Sequence, residues 1–114
     1  MNAPRILDAG APHTATVVAR TQESPTIFTL QVRLDDATAQ AAYRFAPGQF
    51  NMLYLYGVGE IPISIVSDPD TGDELGHTVR VVGRVTRGFA ALKPGDRIGL
   101  RGPFGHGWPL QEAR

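Results

Sequence analysis

A chain of 114 residues, 42% of them hydrophobic and with 11 basic residues matched by 11 acidic ones, has room for one domain and a modest core. Zero net charge leaves no basic excess to displace counterions from nucleic acid or to hold an anionic membrane, so neither is expected as a partner. The absence of cysteine excludes disulfides, thiolate metal sites and cluster ligation by this chain, so any redox chemistry must come from a bound organic cofactor or from another polypeptide.

No segment approaches the ~20 apolar residues of a bilayer-spanning helix, and the chain reads as soluble and cytoplasmic. Residues 1–13, with Pro4, Gly10 and Pro12, read as a loosely held lead-in. Beyond them, 13 glycines and 9 prolines across the chain cut it into short segments, which favours strands over long helices. Thr14 to Thr21 alternates Ala15, Val17 and Ala19 with Thr16, Val18 and Arg20, and Ser24-Pro25 turns it into the next strand. Ile27 to Leu34 has the clearest period of two, with Phe28, Leu30, Val32 and Leu34 on one face. The pair predicts an antiparallel hairpin. Asp35 to Ala42 is an Ala-rich connection expected as a surface loop or a single turn. Further strands are predicted at Asn51–Tyr56, Ile61–Val66, His77–Val85 and Arg97–Arg101. One short helix is expected from Thr86, acting as N-cap, to Leu92, ended by Lys93-Pro94-Gly95-Asp96. Six short strands predict an all-β fold, a small closed barrel or sandwich.

Most polar clusters read as ordinary surface. His13, His77 and His106 lack ligand spacing, so metal binding is not expected. Asp68, Asp70, Asp73 and Glu74 look calcium-like, but Gly72 and Val79 stand where a calcium loop needs oxygen ligands, and a solvated hairpin turn fits better. Ser64 and Ser67 have no His–acid pair nearby in sequence to make either a nucleophile. Gly102-Pro103-Phe104-Gly105-His106-Gly107 has the wrong glycine order for a dinucleotide fingerprint and no βαβ unit around it. Phe104 and Trp108 read either as a cover for the end of the barrel or, the preferred reading, as a surface for a following domain.

Two segments ask for more than packing. In Gly59-Glu60-Ile61-Pro62-Ile63-Ser64-Ile65 a proline interrupts an apolar strand, which predicts an edge strand whose free backbone groups could face a ligand. In Arg80-Val81-Val82-Gly83-Arg84-Val85-Thr86 a strand runs into a helix start beside Arg80, Arg84 and Arg87. Taken alone, that reads first as an ordinary N-cap with solvated arginines. Its second reading is a phosphate or pyrophosphate site, since unpaired helix-terminal amides and guanidinium groups both suit an anion.

In order along the chain, five landmarks resemble the flavin-binding barrel of the ferredoxin–NADP reductase superfamily, most closely the electron-transfer subunit of dihydroorotate dehydrogenase and the gamma subunit of nickel–iron hydrogenases. They are Phe45-Ala46-Pro47-Gly48-Gln49-Phe50, the Gly59–Ile65 strand, Val81–Thr86, Leu92–Asp96 and Gly102–Gly105. The resemblance covers roughly Thr14 to Leu110 and implies a six-stranded antiparallel Greek-key barrel with one short α-helix, binding FAD or FMN on its outer face. Carried over by position, it places Pro62, Ile63 and Ser64 along the isoalloxazine ring, with Ser64 near N5 as the residue assisting the chemistry, and counts Ile61, at the head of the same motif, among the cofactor-binding residues. Thr78, Val79 and Arg80 would line the ribityl and phosphate portion, and Val85 and Thr86 would offer amides to the pyrophosphate.

The sequence departs from the pattern at Ile61, where the family's motif begins with an arginine, and at Ile63, where an aromatic is usual. Arg80 or Arg84 could supply the missing charge. Family members continue into an NAD(P)-binding domain, and the two nearest groups often add a [2Fe–2S] centre. Residues 14–110 are therefore expected to be the flavin domain of a longer oxidoreductase, with 111–114 starting a linker to the nucleotide domain. The implied mechanism is hydride transfer between NAD(P)H and flavin, with single-electron steps to an iron–sulfur or hydrogenase partner. Alone, the fragment should bind flavin without competent turnover. The alternative from a different class is a cofactor-free β-barrel interaction module of a larger assembly, which the Pro94-Gly95-Asp96 turn and the strand after it fit equally well.

Overall fold

The computed structural model describes residues 11–67 and 74–105, so His106, Trp108 and the Asp68–Asp73 turn lie outside the described residues, as do most of the lead-in and the 111–114 linker. In chain order the elements are β1 (His13–Ser24), β2 (Ile27–Leu34), α1 (Ala37–Ala42), β3 (Phe50–Leu55), β4 (Gly59–Ser64), β5 (Leu75–Arg80), α2 (Arg84–Ala90) and β6 (Arg97–Phe104). The six strands form one antiparallel sheet in the order β4-β3-β6-β1-β2-β5.

Period-two patterning decides which face is buried. Phe28, Leu30, Val32 and Leu34 of β2 all point into the core, together with Ala15 and Val17 of β1, Leu53 of β3 and Ile98 and Leu100 of β6. The β1–β2 hairpin forms as predicted, with Val17 opposite Val32. Between Val17 and Ala19 the ladder is irregular. On the other edge of β1 the Val17 backbone extends the β1–β6 pairing into the turn before β6, donating to Asp96 O and accepting from Gly95 N. That turn has Pro94 and Gly95 (φ +97°) at its centre and is closed by Asp96 N donating to Lys93 O, the arrangement a Pro-Gly pair favours.

The expected closed barrel is not what forms. β4 and β5 are the two edges of the sheet and share no ladder; an isolated bridge between Ile65 and His77, just past the end of β4, joins them. Two features hold them apart beyond it. Pro62 has no N–H to offer a neighbouring strand. At the start of β4 the Gly59 backbone packs against the Val85 side chain on the core face, and β5 ends at Arg80, so no strand residue is left to pair with it.

The predicted helix is present as α2, but it starts at Arg84 and its N-cap is Gly83, so Thr86 is its third residue rather than the cap. β5 correspondingly ends at Arg80 instead of reaching Val85. A second helix, α1, occupies the connection expected as a loop or single turn, because Asp36 caps it by accepting from Thr38 N (2.8 Å) and Ala39 N (3.4 Å). Helix α2 is fastened through its C-terminal half. Fully buried Phe89 anchors it to the core, Gly88 lets the backbone close on Leu55, and Arg20 Nε donates to Ala90 O (3.2 Å) at the C-terminus, where a cation is favoured.

Candidate functional site

The site begins with the two unpaired strand edges. Because β4 has Ile61 and Ile63 turned to the core, Pro62 and Ser64 emerge on the outer face, and both are exposed. On β5 the same alternation buries His77 and Val79 and exposes Thr78 and Arg80. Continued outward from the Ile65–His77 bridge, an antiparallel count sets Ile63 against Val79 and Ile61 against Val81, so the exposed residues of both edges flank one seam. The seam is pinched at the bridge and ends against the start of α2, where Val85 meets Gly59.

Of the nine residues marked out from the sequence, Pro62, Ser64, Thr78 and Arg80 present side chains to this outer seam. The side chains of Ile61 and Ile63 pack against the core, and that of Val79 is 1% exposed within it. Their backbone groups alternate the same way, those of Ile61 and Ile63 turned to β3 and those of Val79 to β2, so these three residues lie behind the seam rather than along it. Thr78 is held by a 2.8 Å hydroxyl contact with Thr29 across the β2–β5 ladder.

Thr86 is buried, and its hydroxyl is committed to the loop that enters α2. It accepts from Val82 N and Gly83 N at 2.9 Å each and donates to Gly83 O at 3.1 Å. This is one half of a capping box; glycine at the N-cap has no side chain to complete the other half. The first-turn amides of an α-helix have no intrahelical acceptor, and Gly83 makes no side-chain cap bond to them. An anion arriving there meets donors that no side-chain cap has taken. Of the three nearby arginines, Arg84 donates to Val58 O (3.2 Å) in the β3–β4 turn, whereas Arg80 is exposed on the edge of β5 itself. Arg80 is thus better placed than Arg84 to stand in for the arginine absent at position 61.

Several residues around the seam were not among the nine marked out from the sequence. Gln49 ties three segments: its side chain accepts from Ala46 N (2.8 Å) and donates to Gly105 O (2.7 Å), while its backbone carbonyl accepts from Ile65 N (3.0 Å). Phe104 packs against Phe50 with ring centroids 5.7 Å apart. Since Phe50 is also the β3 partner of Ser64, this aromatic pair borders the pinched end of the seam. On the same outer face Arg101 makes a paired hydrogen bond to Glu60, at 2.8 and 3.0 Å. Behind the seam, Asn51 and His77 are fully buried and bonded to each other; a single asparagine in an apolar strand run was the sequence sign of it.

No protein-family model matches the chain. It is 44% identical over 80 residues to the gamma subunit of sulfhydrogenase 1 from Pyrococcus furiosus, a match that takes in 70% of this chain and 27% of that one. It is 35% identical over 99 residues to a probable electron transfer subunit of dihydroorotate dehydrogenase B (NAD(+)) from Methanocella arvoryzae, covering 87% of this chain and 34% of that one. Among solved structures it is similar to a ferredoxin NADP+ reductase from Neisseria gonorrhoeae with bound FAD and NADP (TM-score 0.71, 25% identity, 86% of this chain and 40% of the other). It is also similar to an Amycolatopsis cytochrome P450 reductase (TM-score 0.73, 27% identity, 90% of this chain and 31% of the other). The chain thus spans about a third of the length of the relatives it matches. It is homologous to the flavin-binding reductases of the ferredoxin–NADP reductase type and to the electron-transfer and gamma subunits of dihydroorotate dehydrogenases and hydrogenases.

Proposed function

Starting from that homology to electron-transfer reductases, we propose that this chain is the flavin-binding portion of an NAD(P)H-dependent oxidoreductase that exchanges electrons with an iron–sulfur partner. The carrying observation is the open seam: two strand edges without a ladder between them, exposing Pro62 and Ser64 on one side and Thr78 and Arg80 on the other, and ending at a helix whose N-cap is glycine. A cofactor-free module has no need to leave two edges of its sheet unpaired, since unpaired edges invite aggregation.

The residues present fit FAD, and FMN would use the same ring end. Pro62 and Ser64 take the ring, Thr78 and Arg80 the ribityl and phosphate portion, and the first turn of α2, with the Val85 amide, the pyrophosphate, while Ile61, Ile63 and Val79 pack behind the seam. Flavin, when bound, supplies the exchange between two-electron and one-electron chemistry. The chain's own residues do the rest. Ser64 places a hydroxyl at the ring end of the seam, Thr86 holds the Val82 and Gly83 amides so that the loop keeps its shape, and Arg80 supplies the positive charge that position 61 lacks. The Phe50–Phe104 pair covers the adjoining surface and keeps water from the ring end. An NAD(P)-binding domain of the parent chain would hold the nicotinamide.

Titrating FAD and FMN into the chain while following flavin fluorescence tests the reading. Saturable quenching is expected, with NAD(P)H oxidation no faster than free flavin gives. A flat titration up to high micromolar flavin refutes it and favours the interaction module.

A further inference from the structure

Behind the seam, a line of buried polar side chains crosses the core. The Tyr43 hydroxyl donates to Asn51 Oδ1 at 2.7 Å, and Asn51 Nδ2 donates to His77 Nε2 at 3.0 Å. Asn51 and His77 are 0% exposed and Tyr43 6%. Polar groups removed from water cost free energy unless they are bonded, and an apolar trio would fill the same volume without that requirement. The fold also reserves space for the asparagine. Gly102, at φ +145°, faces it, and a Cβ at that position would collide with Asn51 Oδ1.

Where these groups sit accounts for their presence. Asn51 is the β3 residue opposite Ile63 of β4, and His77 is the β5 residue bridged to Ile65. β3 and β5 share no ladder, so the Asn51–His77 bond is a side-chain hydrogen bond reaching across the seam from one half of the sheet to the other. Apolar contacts tolerate sliding of one strand past another, whereas a directional hydrogen bond between fixed atoms fixes an offset. Tyr43, from the connection between α1 and β3, fixes the asparagine in turn: with Oδ1 accepting from the phenol, the amide NH2 must face the histidine.

We propose that Tyr43, Asn51 and His77 form a positioning network that sets the offset between the two edge strands, so that Ser64 and Pro62 on β4 and Thr78 and Arg80 on β5 meet the flavin as one surface. This rests on the flavin reading above and adds to it three residues that touch no ligand. The network acts through the Ile65–His77 bridge and the neighbouring bond from Val66 N to Gly76 O (2.9 Å), which closes the pinched end of the seam.

The test compares the unaltered chain with His77→Leu, His77→Gln, Tyr43→Phe and a core control, Val17→Ala. Each is measured by FAD titration, by urea unfolding without flavin, and by hydrogen exchange of the Val66 amide without flavin. His77→Leu is expected to weaken FAD roughly tenfold and to speed Val66 exchange, because nothing then accepts from Asn51 across the seam. His77→Gln, whose side-chain oxygen can accept near the Nε2 position, should restore binding to within about threefold. Val17→Ala should lose stability and keep its FAD affinity. Should His77→Leu fail to fold, Tyr43→Phe decides, with FAD about threefold weaker expected. Unchanged affinity and unchanged Val66 exchange in the folded network variants overturn the proposal, as does an equal loss of affinity in Val17→Ala. If the unaltered chain binds no flavin, the reading of its function fails and the positioning role fails with it; binding by the unaltered chain with an insensitive network overturns only the present inference.

Discussion

Acidification from pH 7 to pH 4 should destabilise the fold by about 3 kcal/mol through a single residue, His77. The ring is completely buried, and burial pushes its pKa down from 6.5 to about 4, against a smaller upward pull from the Leu75 backbone. Its side-chain partner is the Asn51 amide, whose NH2 requires a lone pair on Nε2 and therefore a neutral ring. Among the described residues no carboxylate pairs with it to stabilise the charged form. In the unfolded chain the imidazole takes up its proton as pH falls through 6.5, while the folded chain resists until about 4, so the unfolded state binds more protons throughout that interval. Stability from this group is thus complete above 6.5, declines on the way down, and suffers no further loss from it below about 4. The gap of two to three pH units, at about 1.4 kcal/mol each, gives the quoted 3 kcal/mol. Urea unfolding followed by circular dichroism at half-unit pH steps measures it. Carboxylates contribute their own slope, which His77→Gln shares, so the difference between the two chains isolates the imidazole. Parallel pH profiles for the unaltered chain and His77→Gln would refute the reasoning.

Other perturbations test separate parts of the structure. Gly102→Ala combines a backbone conformation that L residues rarely adopt with a collision against Asn51, and should cost roughly 2–4 kcal/mol by denaturant unfolding. Phe89→Ala empties a fully buried site between α2 and the core; a loss of about 3–5 kcal/mol is expected, and one below ~1 kcal/mol would mean that the helix is not anchored there. Thr86→Ala releases the Val82 and Gly83 amides, which should lower stability by about 1–2 kcal/mol and weaken FAD as well. Ser64→Ala, on an exposed edge, should leave stability within about 0.5 kcal/mol while weakening FAD in the fluorescence titration, so the two hydroxyl deletions separate ring contact from loop support.

Much of the fold was legible because it is written in neighbouring residues. The alternation from Phe28 to Leu34 marked a buried face whatever lay across from it, Pro62 marked a sheet edge because it lacks a donor, and Lys93-Pro94-Gly95-Asp96 marked a turn because its preferred dihedrals are local. The candidate site was legible mainly as a resemblance carried by ordered landmarks. Neither the split of its nine residues between exposed side chains and core packing nor the true N-cap followed from it. Thr86 looks like a cap by residue type, yet Gly83 holds that position, since the helix begins where the chain first meets Gly59 and the β3–β4 turn rather than where the first capping side chain occurs.

Local patterns and the order of short motifs were enough to read most of the strands, their buried faces and the kinship to electron-transfer reductases. That the sheet stays open between β4 and β5, and that Tyr43, Asn51 and His77 meet behind the opening, emerges only from the packed fold. Those outcomes depend on groups far apart in the chain, with Asn51 and His77 separated by 26 positions. Whether two such strands pair or part is settled by where each one ends and which donors it offers, here a β5 that stops at Arg80 and a proline without a donor.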